Sequence, residues 1–126
     1  MKNKFIYLIG ILFVNLFFLS NLNAVEVFNL NVSEIEITQN GNLFKGYNGG
    51  TANTNDGISI KAENFEYNKI LNSLISNGNV ELKDTDKDII INADKILYFK
   101  NREIIIADGN VELKDTNKDI IINANK

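Results

Sequence analysis

One 16-residue stretch occurs twice, as GNVELKDTDKDIIINA at residues 78–93 and as GNVELKDTNKDIIINA at residues 109–124. The copies begin 31 residues apart and differ only where the first has Asp86 and the second has Asn117. The repeat is wider than this stretch, because residues 62–67 match residues 93–98 and residues 32–37 form a looser third copy. A fixed period of this length predicts a repeat architecture in which each unit buries its apolar face against its neighbours.

Each unit reads as a series of short β-strands separated by polar turns. Ile58-Ser-Ile-Lys-Ala62 and Val80-Glu-Leu-Lys83 alternate apolar and polar residues, which is the period of a half-buried strand. Clusters of Asn, Asp, Gly and Lys follow, as at residues 84–88 and 115–119, and these residue types favour turns. No segment after the N-terminal leader shows a convincing helical period. We therefore predict an all-β domain.

The phase of the apolar residues changes inside each unit, which bears on the shape of the domain. Ala62 lies on the apolar face of its strand, but Phe65 follows at an odd spacing and would point the other way in an unbroken strand. The same spacing separates Ala93 from Ile96. A bulge or bend at both points would carry the strand from one sheet to another. We expect a jelly roll or a slim β-solenoid with two sheets facing each other over an apolar interior. Two glycines would mark the second corner of each unit: Gly78 and Gly109.

The composition excludes several kinds of site. The 126 residues include no Cys and no His, so they hold neither a disulfide nor a zinc or haem site built on those side chains. A nucleophile activated by imidazole is excluded for the same reason. The formal net charge is −3 and the sequence contains no basic cluster, and both features argue against a nucleic-acid partner. We expect no cofactor and no enzymatic activity.

One pattern of alternating aspartates is similar to a known metal-binding loop. Residues 84–88, with Asp at alternate positions, resemble the start of a calcium loop. The positions of that loop which require Gly and Glu hold Ile89 and Lys95 instead. We interpret the pattern as a solvated turn and expect no metal site.

The N-terminus has the pattern of a secretory signal peptide. Residues 1–4 are basic, residues 5–19 are almost entirely apolar, and Ala24 supplies a small residue where a signal peptidase would cut. We expect cleavage there and export of a domain comprising residues 25–126 to the periplasm, with an uncleaved anchor as the alternative. Cleavage would change the net charge from −3 to −5, because two lysines and no acid leave with residues 1–24.

The repeat resembles a known periplasmic family. The order Ala-x-x-Ile/Phe-x-Tyr, polar turn, apolar strand, Gly-Asn-Val-Glu-Leu, polar turn, Ile-x-Ile-x-Ala is similar to the OstA-like domain. That domain is shared by the lipopolysaccharide-transport proteins LptA and LptC and by the N-terminal part of LptD. The resemblance covers residues 28–126, and residues 40–52 are most similar to the start of the LptD domain. The chain would then be either a fragment of an LptD-type protein, truncated at its C-terminus, or a short stand-alone relative.

The resemblance implies a V-shaped β-jelly roll whose interior holds the acyl chains of lipopolysaccharide on their way to the outer membrane. Its expected partners are lipopolysaccharide and other jelly-roll proteins of the same transport system, joined by pairing of edge strands. The location would be the periplasm, at the outer membrane if the chain is part of LptD. The groove candidates are the inward-facing residues Ile58, Ile60, Ala62, Phe65, Val80, Leu82, Ile89, Ile91, Ala93, Ile96, Val111, Leu113, Ile120 and Ile122.

The same side chains would be apolar in the core of any β-sandwich. A structural or adhesive β-repeat of an exported protein, with no lipid cargo, is therefore the alternative function. The three Ile-Ile-Ile tracts place apolar residues on both faces of their strands. Their middle residues, Ile90, Ile105 and Ile121, would either be covered by a neighbouring protein or reflect codon bias.

Overall fold

A computed structural model describes residues 27–124. These residues form nine antiparallel strands and contain no α-helix. The strands are β1 (Asn29–Thr38), β2 (Leu43–Asn53), β3 (Ile58–Ala62), β4 (Asn64–Asn68), β5 (Ser73–Asp84), β6 (Ile89–Phe99), β7 (Ile104–Asp108), β8 (Val111–Asp115) and β9 (Ile120–Ala124). Short 3₁₀ turns at Gln39–Gly41 and Lys100–Arg102 join β1 to β2 and β6 to β7. The predicted all-β fold is confirmed.

The predicted signal peptide, residues 1–24, lies outside the described residues. Within residues 27–124, no helix has the length and apolar character needed to cross a membrane.

The strands form one continuous hydrogen-bonded network that is folded into two layers. In the layer that we call sheet I, β3 pairs with one end of the long strands β2 and β5, and β8 pairs with the same end of the long strand β6. Strand β9 pairs with β8, and the first half of β1 lies at the other edge of the layer, beside β2. In sheet II, β4 and β7 pair with the other end of those long strands, and the second half of β1 lies at the edge. The result is a jelly-roll-like arrangement, because the long strands pass from one layer to the other.

The bends lie where the apolar phase changes in the sequence. β3 ends at Ala62 and β4 begins at Asn64, so Glu63 alone occupies the corner between them. β6 is continuous, but its partner changes from β8 to β7 on either side of Asp94. The predicted bends after Ala62 and Ala93 are confirmed.

The other side of each corner is a glycine turn in the neighbouring strand. Gly78 has φ 84° and Asn79 has φ 45°, which is the left-handed region. The backbone N–H of Glu63 donates to the carbonyl of Gly78 at 3.1 Å. The Asn79 side-chain amide donates to Glu63 Oε1 at 2.8 Å. The next unit repeats this corner with Gly109, Asn110 and Asp94. The predicted second corner is therefore confirmed.

The turns at the free end of sheet I stack on one another. The backbone N–H and the hydroxyl of Thr85 both donate to the carbonyl of Gly57, at 3.1 and 3.0 Å. Thr116 makes the same two bonds to the carbonyl of Asp88, both at 2.9 Å. Because both donors of the threonine reach the preceding turn, each turn is aligned on the one before it.

The apolar core lies between the two sheets, as predicted. It comprises Phe28, Ala52, Ile58, Ile60, Ala62, Phe65, Tyr67, Leu74, Val80, Leu82, Ala93, Ile96 and Tyr98.

Candidate apolar groove between the sheets

One cross-strand row of apolar residues runs through sheet I. Its members are paired directly from strand to strand: Ile60, Leu82, Ile91, Leu113 and Ile122. Directly paired residues point to the same face, so the whole row faces the interior. Ile60 is 0% exposed and Ile122 is 56% exposed, with Ile91 and Leu113 between these values. Within the described residues, the row is therefore buried at β3 and exposed at β9.

The remaining predicted residues lie on either side of this row. Ala62, Val80, Ala93 and Val111 lie nearer the corner, with Phe65 and Ile96 facing them from sheet II. Ile58, Ile89 and Ile120 lie nearer the free end of sheet I, where they pair with Asp84 or Asp115. The structure thus places all fourteen predicted groove residues on inward faces, and it divides them into buried members and exposed members.

The inner face is also exposed at the opposite end of the domain. Ile35 and Ile37 of β1 pair with Gly46 and Phe44, and Phe44 packs against the core. Ile35 is 48% exposed and Ile37 is 54% exposed. These two residues are not among the groove candidates predicted from the sequence. Their alternation with Glu34 and Glu36 is the signal that would have included them.

The centre of the interior is closed by an aromatic side chain that the repeat pattern does not contain. Phe28 precedes β1, and its ring packs edge-to-face against Tyr67 at 5.2 Å and against Tyr98 at 5.5 Å between ring centroids. Both tyrosines belong to sheet II, whereas the first half of β1 belongs to sheet I. Phe28 therefore spans the space between the sheets.

An ion pair joins the free ends of the two sheets beside the ring of Tyr98. Asp56 lies in the turn between β2 and β3, and Lys100 lies in the turn between β6 and β7. The Lys100 ammonium bonds to the Asp56 carboxylate, which also accepts from the Thr54 hydroxyl. The same ammonium is 5.9 Å from the centre of the Tyr98 ring. We call the Asp56–Lys100 pair the clasp.

The clasp perturbs the titration of both partners. The hydrogen bond from Lys100 holds the pKa of Asp56 below its ordinary value of 3.8, and the Thr54 hydroxyl adds to this effect. The hydrogen bond to Asp56 raises the pKa of Lys100 above its ordinary value of 10.5. Burial raises the pKa of Tyr98, against the opposing influence of the Lys100 ammonium. Both partners of the clasp are therefore charged over a wide pH range around neutrality.

A cleft of about 240 Å³ lies between the ends of the sheets, next to the clasp. Ile58 and Asp84 line it from sheet I, and Tyr98, Glu103 and Ile105 line it from the side of sheet II. Asp56, Asp86 and Lys87 complete the lining, so most of the residues around this cleft are charged.

The position of Ile105 corrects one expectation. From the sequence, Ile105 is grouped with Ile90 and Ile121 as a residue that either a neighbouring protein covers or codon bias explains. Ile105 instead pairs with Tyr98 and packs against the core, so Ile104 and Ile106 are the outward residues of this tract. The reason is that β7 lies in sheet II, where the apolar phase is reversed by the bend.

A serine on the inner face has no hydrogen-bond partner. Ser76 is 0% exposed, and its hydroxyl lies among apolar groups between Phe65 and Ile96 in the cross-strand order. Ala107 holds the same place in the next repeat, opposite Ile96. The hydroxyl therefore destabilises the fold and is not part of a polar network.

In the Asp-rich turns, an aspartate side chain accepts hydrogen bonds from the backbone of its own turn. Asp84 Oδ1 accepts the backbone N–H groups of Asp86 and Lys87, both at 3.1 Å. Asp115 makes the equivalent bonds in the second copy. Within residues 27–124, no three acidic, His or Cys side chains are grouped so as to hold a metal ion. These carboxylates explain the turn without a bound cation.

The chain matches no protein-family model, and no curated protein sequence is similar to it at a significant level.

Proposed function

We propose that this domain is a periplasmic module for lipopolysaccharide transport, which shields acyl chains in the apolar interior between its sheets. The observation that carries the proposal is the row from Ile60 to Ile122, which stays apolar while its exposure rises from none to more than half. A continuous exposed apolar surface favours occupation by an apolar partner. The predicted signal peptide and the resemblance to the OstA-like domain support a lipid partner in the periplasm.

The energetics favour such a partner. Burial of one methylene is worth roughly 0.8 kcal/mol, so an acyl chain of about a dozen carbons gains on the order of 10 kcal/mol when it leaves water. Leu113 and Ile122 provide apolar contacts for such a chain without any polar group in their row. Shielding of this kind requires surface and shape only, and no bond of the lipid changes.

Edge strands support association with other jelly-roll proteins of the transport system. Within residues 27–124, β1 pairs with β2 alone, β7 with β6 alone and β9 with β8 alone. Each of these strands offers backbone groups to which a strand of another protein can be added. Such addition would extend the apolar interior across the contact, and it would place the domain at the outer membrane if the partner is anchored there.

Site-specific photocrosslinking tests the lipid partner. A photoreactive residue at Leu113 or Ile91 faces the interior, whereas the same residue at Lys114 or Asn92 occupies the adjacent outward position of the same strand. We expect lipopolysaccharide adducts at the inward positions and few at the outward ones. Adducts that are absent at both inward positions of the folded protein would contradict the proposal.

The alternative is a structural or adhesive β-repeat with no lipid cargo. The close packing of Ile60, Leu74 and Ile96, each 0% exposed, favours it, because this part of the interior is already filled by the protein. Equal labelling by lipopolysaccharide at inward and outward positions would support this alternative.

A further inference from the structure

We propose that Phe28 and the clasp form a gate across the middle of the groove, so that the interior consists of two open ends separated by a closed centre. The proposal rests on the proposed lipid-carrying function and concerns how an acyl chain moves through that site.

The two open ends are defined by exposed inner-face residues. Ile35 and Ile37 of β1 form one end, and Ile120 and Ile122 of β9 form the other. These are isoleucines on faces that would be core in a closed sandwich, yet each is between 46% and 56% exposed. Both ends therefore present the same kind of surface to an acyl chain.

The centre between these ends is filled by the protein itself. Phe28 is 1% exposed and contacts both tyrosines of sheet II edge-to-face, which is a favoured geometry for aromatic rings. Leu74, which pairs with both Tyr67 and Tyr98, is 0% exposed. An acyl chain cannot occupy the same space as the Phe28 ring, so passage through the centre requires this ring to move.

The clasp holds the sheets together at the side where they would have to separate. At the corner side the strands are continuous from one sheet to the other, so the sheets cannot part there. At the free side, Asp56 and Lys100 connect turns that are 44 positions apart in the chain. Separation of the free ends would break this ion pair and release the ring of Phe28 from Tyr98. Because Lys100 is also close to the Tyr98 ring, the clasp and the ring contacts would change together.

Photocrosslinking with purified lipopolysaccharide distinguishes the gate from the function on which it rests. A photoreactive residue at Leu113 reports on an open end, and one at Leu74 reports on the centre. In the otherwise unchanged protein we expect strong labelling at Leu113 and weak labelling at Leu74. Phe28→Ala and Lys100→Met should each raise labelling at Leu74 several-fold while labelling at Leu113 stays the same. Absence of labelling at Leu113 would count against the lipid function itself.

Strong labelling at Leu74 in the unchanged protein, or no rise in either variant, would overturn the gate while the lipid function stands. The double variant Asp56→Lys with Lys100→Asp restores an ion pair of reversed direction, so we expect it to return labelling at Leu74 to its low value. Persistent strong labelling in that variant would show that the ion pair does not close the centre.

A distance measurement avoids any change inside the core. The chain has no Cys, so cysteines at Asn55 and Ile70 would be labelled specifically with nitroxides. Both residues are exposed, at the free ends of sheets I and II. We expect the distance between the two nitroxides to increase when lipopolysaccharide is added. Without lipid, we expect this distance to be larger in Lys100→Met than in the otherwise unchanged protein. A second pair at Asn55 and Lys118, both in turns of sheet I, should not change. An unchanged distance for the first pair with lipid bound would refute the gate.

Discussion

Glu63 and Gly78 meet at the corner where the chain passes between the sheets, and the carboxylate of Glu63 occupies the place that a β-carbon on Gly78 would need. Asp94 and Gly109 have the same relationship in the next unit. The corner is therefore defined by two requirements at one residue: a left-handed backbone and the absence of a side chain.

Substitution of Gly78 should be more costly than substitution of a glycine with the same backbone and free space. Gly41 has φ 85° and no atom within 4 Å of the place where a β-carbon would lie, whereas Gly78 has φ 84° and the Glu63 side chain in that place. We expect Gly41→Ala to lower the free energy of unfolding by about 1 kcal/mol and Gly78→Ala by about 2–3 kcal/mol. Urea denaturation measures both. Equal losses would mean that the corner relaxes around the added methyl group.

Removal of the unpaired hydroxyl at Ser76 should stabilise the domain. A buried hydroxyl without a hydrogen bond costs about 1–3 kcal/mol, and Ala107 shows that Ala fits the equivalent place. We expect Ser76→Ala to raise the free energy of unfolding by about 1 kcal/mol. Ser59→Ala, at a half-buried outward position of β3, is the control and should change it by less than about 0.5 kcal/mol. A loss of stability in Ser76→Ala would indicate that the hydroxyl has a partner in solution.

The apolar row of sheet I should show a gradient of stability effects in lipid-free protein. Ile60→Ala should lower the free energy of unfolding by about 2–5 kcal/mol, because it leaves a cavity in a closed core. Ile122→Ala, at the exposed end of the same row, should lower it by less than about 1 kcal/mol. Thermal and urea denaturation measure both. A large loss for Ile122→Ala would show that this end is covered in solution.

The contribution of the clasp should depend on pH. The folded pKa of Asp56 is lowered, so its contribution to the free energy of unfolding is complete above the ordinary value of 3.8. This contribution disappears as the pH falls through the folded pKa. The pKa of Lys100 is raised, so its contribution is complete below 10.5 and disappears as the pH rises through its folded pKa. Glu103, which is 3.9 Å from Lys100, and the Tyr98 phenol also face the ammonium. The clasp is therefore intact throughout the neutral range.

Lys100→Met tests this dependence. Because the Asp56 side chain is 47% exposed, solvent weakens the pair, and we expect a loss of about 0.5–1 kcal/mol at neutral pH. The difference from the unchanged protein should shrink in added salt, and it should vanish below the folded pKa of Asp56. Chemical denaturation at each condition measures it. Lys114→Met is a control on the outer face. A difference that persists at acid pH would assign the effect to lost packing of the lysine stem.

The architecture could be predicted from the sequence because its signals are local. Alternation such as Val80-Glu-Leu-Lys83 determines which face of a strand is apolar, whatever its partner. The odd spacing from Ala62 to Phe65 requires a bend in any fold that buries both residues. These properties determine the all-β fold, the two facing sheets, both corners and the inward orientation of the fourteen apolar residues predicted to line a groove.

The packing of the interior around Phe28 and the Asp56–Lys100 pair could not be predicted in this way. Phe28 lies outside the repeat, and Asp56 and Lys100 are 44 positions apart with no pattern that relates them. The inward face of Ile105 depends on the sheet in which β7 lies, and three consecutive isoleucines carry no phase of their own. These features arise from contacts between strands and turns that are distant in the sequence. A local periodic pattern does not reveal such contacts.

The two copies of GNVELKD show which property the sequence alone determines and which property only the tertiary structure decides. Leu82 and Leu113 have identical neighbours in sequence and both point inward, which the sequence alone determines. Leu82 is 1% exposed and Leu113 is half-buried. Only the tertiary structure decides this difference, because burial depends on the layer opposite. Within the described residues, sheet II ends at β7, so β9, beside Leu113, has no facing strand, whereas Leu82 lies under the filled centre of the interior.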